Sequence, residues 1–148
     1  MDIPNVDYKY ESLNNECSKL PITTFCDYQY IKSNGVIKCA TETDCLNLKY
    51  EYLLGTECKS SCNDNYYKLK DGSFTKCFQT YIDCKEGGTG PIYYNERSKQ
   101  CWKSFQNGYF INNRDIANNI YELVDECENF YYENSGDLYR YYCSIPLL

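Results

Sequence analysis

The sequence predicts a small disulfide-rich protein of tandem repeats, in which β-hairpins and short helices make an elongated array with little conventional core. Three observations carry this expectation. Eleven cysteines stand in a chain of 148 residues. Leucine, isoleucine, valine and phenylalanine make up only about one residue in five, the level at which a packed apolar core becomes insufficient by itself. The cysteines also recur with a period of about 40 residues, the mark of an array of supersecondary modules.

The repeat unit is clearest at residues 58–84, where Cys58, Cys62, Cys77 and Cys84 define positions a, b, c and d. Between b and c, Asp71-Gly72 is flanked by Tyr66-Tyr67-Lys68-Leu69 and Ser73-Phe74-Thr75-Lys76. Asp and Gly tolerate the positive φ of a tight turn, so this stretch predicts a hairpin. A shift of 43 residues carries Cys58 to Cys101, Cys62 to Phe105, Tyr66 to Tyr109, Tyr67 to Phe110, Cys77 to Ile120 and Cys84 to Cys127. In the other direction the positions fall on Cys17, Cys26, Cys39 and Cys45, with Asn34-Gly35 as the turn between Tyr28–Ile31 and Val36–Lys38. The predicted organisation is an N-terminal segment 1–16, repeats at 17–57, 58–100 and 101–142 (the last a helical variant), and a stub or docking tail at 143–148.

Positions b and c are lost together in the third unit, as a bonded pair predicts. Phe105 and Ile120 are then expected to replace the bridge with a buried apolar contact. This reading pairs Cys17–Cys45, Cys26–Cys39, Cys58–Cys84, Cys62–Cys77 and Cys101–Cys127 in a nested scheme; the interlaced scheme, a with c and b with d, is the alternative. Eleven is odd, and the register leaves Cys143 unpaired or intermolecular. A closed loop the length of 58–84 removes on the order of 3 kcal/mol of unfolded-state entropy, so several such bridges take the place of a large core.

Along the chain, the Tyr10-to-Cys17 spacing echoes Tyr94 to Cys101, which puts the start of the first unit inside a preceding module's last strand. Ser18–Phe25 lengthens the gap between a and b. Tyrosines precede each following a position, at Tyr50 and Tyr52, Tyr93 and Tyr94, and Tyr131 and Tyr132, and are expected to pack on the bridges. Lys85–Pro91, with three glycines, reads as a hinge. Ile116, Ile120, Leu123, Val124 and Cys127 fall on one helical face, predicting a helix over 115–129 capped by Asn113 or Asp115. Helical c-to-d segments in the other units would set Cys77 and Cys84 on one face; Thr41–Asp44 weakens that reading in the first. Ser144–Leu148 has the pattern of a docking strand.

A net charge of −6 and a pI near 4.7 argue against nucleic acid and anionic membranes, which demand a basic face. The cysteine density points to an oxidising compartment: outside the cell, on its surface or in a secretory lumen. The first residues lack the features of a signal peptide, and no apolar run reaches the length of a membrane span. With no histidine anywhere, the usual nucleophile–base pairs and zinc-enzyme ligand sets are excluded. Carboxylate pairs such as Glu42 with Asp44, or Asp125 with Glu126, read as solvated surface. Asn63-Asp64-Asn65 opens like a calcium loop but lacks its later glycine and glutamate. No catalytic residue, metal or cofactor is expected.

The succession Cys58-Lys-Ser-Ser-Cys62, Tyr66-Tyr67, Gly72, Cys77 and Cys84 resembles the furin-like and growth-factor-receptor cysteine-rich repeats, and most of all the tandem cysteine-rich repeats of protist surface proteins. The resemblance covers residues 17–143 as a pattern of spacings; the CxxC pairs usual in such repeats are absent, and the family's interlaced bridges are the alternative to nesting. It implies a non-catalytic extracellular module, the stalk of an adhesin or a building block of a coat or filament, whose partners are neighbouring repeats or other copies of the protein. The other expectation is a lectin-like domain that binds glycans or protein by stacking on Trp102, Tyr66, Tyr67 and Tyr109.

Overall fold

Turn residues set this fold. The computed structural model describes residues 10–18, 26–128, 132–133 and 141–143. Expectations resting on residues 1–9, 19–25, Tyr131 and Ser144–Leu148 lie outside the described residues. Ser12–Glu16 joins β1 (Tyr10–Glu11) to β2 (Cys17–Ser18), and Lys32–Val36 joins β3 (Tyr28–Ile31) to β4 (Ile37–Ala40). In each loop the first amide donates to the fifth carbonyl, at 2.9 Å from Ser12 to Glu16 and 2.8 Å from Lys32 to Val36. The fourth residue, Asn15 or Gly35, takes positive φ, which Gly and Asn adopt at the least steric cost. Two-residue connections, Gly55-Thr56 and Gly72-Ser73, lead from β5 (Tyr52–Leu54) to β6 (Glu57–Lys59) and from β7 (Tyr67–Asp71) to β8 (Phe74–Phe78). Four-residue turns ending in Lys99 and Asn119, at φ 56° and 60°, lead from β9 (Ile92–Asn95) to β10 (Gln100–Trp102) and from β11 (Phe110–Asp115) to β12 (Ile120–Val124). The last strands described are β13 (Tyr132–Glu133) and β14 (Tyr141–Tyr142).

The chain divides into two units, Met1–Asn63 with Asp71–Cys77, and Asp64–Lys70 with Phe78–Leu148. The strand order in the first is β2-β1-β4-β3-β6-β5-β8 and in the second β7-β10-β9-β12-β11-β14-β13. In both, antiparallel pairs alternate with parallel ones. Each parallel partner lies three strands further along the chain: β4 for β1, β6 for β3 and β8 for β5 in the first unit, and β10 for β7, β12 for β9 and β14 for β11 in the second. The molecule is thus a disulfide-rich β structure with a single short α-helix among the described residues.

That helix, α1 (Glu42–Asn47), starts where Thr41 and Asp44 form a reciprocal capping box. Of the two threonines in the stretch that weakened the helical reading, Thr41 is the cap and Thr43 lies within the first turn. A 3-10 helix at Ile82–Lys85 carries Cys84, and Glu86 and Gly87 end it with positive φ. The connector Lys85–Pro91 is not a free hinge. Lys85 Nζ donates to the Asn118 carbonyl, and Asn119 Nδ2 to that of Thr89 at 3.2 Å, which ties it to the β11–β12 turn.

In the first unit Ala40, Cys45, Leu53, Cys58 and Phe74 are buried together, with Tyr28, Tyr30 and Tyr50 packed around them. Glu11, 8 % exposed, is neutralised by Lys32 at 3.2 Å and Lys38 at 3.4 Å. In the second unit all four residues of β9 are buried. Ile92 and Tyr94 join Tyr67, Leu69, Cys84, Cys101 and Ile120, while Tyr93 joins Ile111, Leu123 and Tyr142. Alternation along a strand puts these clusters on its two faces. The buried Asn95 amide is satisfied by the Leu123 carbonyl at 2.8 Å.

In place of the helix expected over 115–129, the described residues of this range form the end of β11, the turn and β12. Its apolar spacing fits a strand pair as well: Ile120 and Leu123 are buried in β12, and Ile116, in the turn, is 71 % exposed. Asp115 acts as expected of a cap, accepting from the Asn118 amide at 3.2 Å, but it closes a turn. This hairpin carries a bulge between Ile111 and Asn113 and a four-residue turn. Strand for strand, it is therefore longer than β7–β8, and Cys77 corresponds to Leu123, not Ile120. Phe105 accordingly packs in the cluster of Leu123, and Ile120 belongs to the other cluster. No helix among the described residues is long and apolar enough to cross a membrane.

A pair of substitutions separates strand from helix. Leu123→Ala, at 0 % exposure, should cost about 2–5 kcal/mol of stability, whereas Ile116→Ala should stay within about 0.5 kcal/mol. Urea unfolding without reductant measures both.

Candidate functional site

Five disulfides brace these strands. Cys26, ahead of β3, is bonded to Cys39 in β4, and Cys62, ahead of β7, to Cys77 in β8. The outer pairs differ from both expected schemes: Cys45–Cys58, Cys84–Cys101 and Cys127–Cys143 stand in place of Cys17–Cys45, Cys58–Cys84 and Cys101–Cys127. Each d cysteine bonds forward to the next a. The reason is geometric. Cys45 and Cys84 sit on helical turns that lead into the next strand pair, where Cys58 in β6 and Cys101 in β10 lie at Cα distances of 6.1 and 6.6 Å, within bridging range. Cys143, expected to be unpaired, is bonded; the free thiol among the described residues is the half-buried Cys17 in β2. Disulfides at this density belong to an oxidising environment of the extracellular or secretory kind.

One tyrosine of each of the first two pairs packs around a bridge: Tyr94 shares a cluster with Cys84 and Cys101, and Tyr50 with Cys45 and Cys58, whereas Tyr93 packs with Ile111 and Leu123 in a cluster without a bridge. Among the residues expected to stack on a ligand, Trp102 and Tyr109 come together, both half-buried, with ring centroids 5.3 Å apart. They pack on the cluster of Tyr93 and Leu123. Tyr66 is half-buried elsewhere. Tyr67 is 6 % exposed and held from three sides: its hydroxyl donates to Glu96, accepts from Lys99 Nζ at 3.4 Å, and Lys99 also lies 4.8 Å from its ring centroid. Burial, then the Glu96 contact, raises the Tyr67 pKa; the Lys99 and Tyr67 hydrogen bonds hold the Glu96 carboxyl below its usual range. Tyr67 is thus a core residue with a satisfied hydroxyl.

One carboxylate of each pair has a structural partner. Asp44 accepts from the Thr41 amide at 3.0 Å, which lowers its pKa, and Asp125 faces Arg97 at 3.4 Å. Among the described residues no group of three or more acidic or cysteine side chains is placed to hold a metal ion.

A groove of about 690 Å³ lies in the second unit between the β8–β9 connection and the β11–β12 hairpin. Its apolar part comprises Tyr81, Ile82, Tyr94 and Ile120. The Tyr81 and Tyr94 rings are stacked, centroids 4.0 Å apart and planes within 2°. Its polar part is arranged by internal hydrogen bonds: Asn118 Nδ2 donates to Asp115 Oδ2 at 2.8 Å, and Asn113 Nδ2 to Glu122 Oε1 at 2.7 Å. The Asn118 donors hold the Asp115 carboxyl below its usual range, and burial pushes the Tyr94 phenol well above its own. Sequence reasoning missed this site. Its one local signal was the glycine pair at 87–88, which reads equally as a linker.

No protein-family model, no curated protein and no solved structure matches the chain.

Two measurements check this geometry. Nonreducing peptide mapping should recover Cys45–Cys58, Cys84–Cys101 and Cys127–Cys143, with alkylation at Cys17. A Cys58–Cys84 or Cys58–Cys77 peptide contradicts it. The Glu96 ion pair has a depressed folded pKa, so its stabilisation is present above the ordinary carboxylate range and is lost as pH falls through the folded value. Glu96→Gln should flatten that acid-side loss in the pH dependence of the urea midpoint.

Proposed function

We propose that this chain is a non-catalytic extracellular module of a surface protein, coat or filament, made of tandem cysteine-rich units with a structural or adhesive role. The observation that carries this reading is one connection rule used throughout: strands pair in parallel three places on, and cysteines of type d bond forward to type a. Strands β1, β5, β9 and β13 begin at Tyr10, Tyr52, Ile92 and Tyr132, so one period of the sequence spans four strands. Such a rule extends without limit, like the repeats of the protist surface proteins that the cysteine spacing resembles. The chain has no histidine for a nucleophile–base pair, and its charge is acidic. Its partners in this reading are neighbouring repeats or further copies.

The odd thiol supports assembly. Cys17 is of type a and is the free thiol among the described residues, and β2 has a neighbour on one side alone among the described strands. An open strand edge is a pairing template. The second reading, a lectin-like domain, is favoured by the half-buried Trp102–Tyr109 pair.

The 148-residue chain, produced in an oxidising compartment and run on nonreducing gels, should show covalent species above 17.4 kDa that collapse on reduction and disappear in Cys17→Ser. A single 17.4 kDa band with a freely alkylated Cys17 counts against the assembly reading.

A further inference from the structure

We infer that the groove between the β8–β9 connection and the β11–β12 hairpin is a binding site for neutral carbohydrate. The inference is independent of the assembly reading. The groove's volume, about 690 Å³, lies within the roughly 300–1,000 Å³ of small-ligand sites. Three features select the ligand.

The first is the apolar part. Tyr81, half-buried, stacks on Tyr94, and Ile82 beside it is 56 % exposed. An exposed aliphatic residue next to an aromatic stack offers a surface for the C–H face of a pyranose ring.

The second is the polar part, which presents donors and acceptors in fixed pairs. Asp115 and Asn118 are bonded to each other, as are Glu122 and Asn113. A carboxylate has about four lone-pair sites and a primary amide has two donors and a carbonyl oxygen, so capacity of both kinds is left over at held positions. A hydroxyl is donor and acceptor at once, and adjacent sugar hydroxyls match such pairs. A phosphate needs donors alone, and a lysine or arginine side chain needs acceptors alone.

The third is the state of the cations. Lys85 Nζ is engaged with the Asn118 carbonyl, and the Arg114 guanidinium lies 4.3 Å from the centroid of the Tyr142 ring. Both positive groups lining the groove are committed within the protein, which disfavours an anionic ligand.

The test is an amide NMR titration of the disulfide-intact full chain with cellobiose, maltose, lactose and N,N′-diacetylchitobiose, at low and high salt. At least one sugar should shift residues 81–88 and 113–122 saturably and with little salt dependence. Tyr81→Ala should weaken that binding about tenfold, the loss expected for one aromatic contact. Because Tyr81 also packs in the core, Ile82→Lys is the second variant: its site is open to solvent, its fold should survive, and binding should fall by a similar factor. The inference is overturned if none of the four sugars shifts these residues, if shifts centre on Trp102 and Tyr109 instead, or if an oligolysine peptide binds there in a salt-sensitive way while the sugars do not. A failed titration leaves the gel assay of Cys17 untouched, and the reverse also holds.

Discussion

The forward disulfide, from a helical turn to the strand pair that follows, is the constraint on which the rest of the structure depends. A two-stranded hairpin is marginal in water by itself, and this chain has few aliphatic side chains to pack between hairpins. Cys45 and Cys84 stand at 0 % exposure and their partners Cys58 and Cys101 at 1 %, so the bridges are themselves core material. Tyrosines complete each cluster: Tyr28 and Tyr50 in the first unit, Tyr67, Tyr81 and Tyr94 in the second. An aromatic ring buries a large area while ordering only two side-chain torsions, which suits a chain that must make small cores from few residues.

The same constraint builds the groove. The Cys84–Cys101 bridge holds the 3-10 helix against the strand pair β9–β10, and Tyr81 and Ile82 are carried to the surface at its start. Burial of β9 on both faces fixes the register of β12 beside it, through Ile92 with Ile120 and Tyr94 with Glu122. That register places Glu122 in the groove and sets where the β11–β12 turn closes, hence where Asp115 and Asn118 stand. The site is thus a consequence of strand pairing that is itself secured by the bridge, and its polar groups need no further support to be ordered.

Local features of this fold are legible in the sequence, and relations between distant strands are not. Asn34-Gly35 and Gly72 mark turns because positive φ is a property of single residues. The joint loss of cysteines 43 residues beyond Cys62 and Cys77 points to the Cys62–Cys77 bond, since that bridge spans one turn. Ile116 to Cys127 misleads because a short apolar run fits a helical face and a bulged hairpin alike; the left-handed Asn119 and the Asp115–Asn118 contact decide for the turn. An ungapped shift names Ile120 as the counterpart of Cys77 because it cannot see the bulge between Ile111 and Asn113. The forward partner of each d cysteine depends on which strand its segment packs against, and so does the identity of the odd thiol.

The two kinds of bridge do different work, although their loops are alike. Cys62–Cys77 closes a separation of 15 residues and Cys84–Cys101 one of 17. Loop entropy grows only with the logarithm of length, so the two restrict the unfolded chain almost equally. The difference lies in the folded state. Cys62 is half-buried, and the bridge ties β8 to residues just ahead of β7, across a turn that the sequence already favours. Ahead of β11 and on β12 the corresponding place is filled by Phe105 and Leu123 in one apolar cluster. Cys84–Cys101 is fully buried among Tyr67, Leu69, Tyr94 and Ile120, and it joins elements that no tight turn brings together. A bridge within a turn region has an apolar substitute in this chain. The forward bridge has none, and it is present at all three of its places.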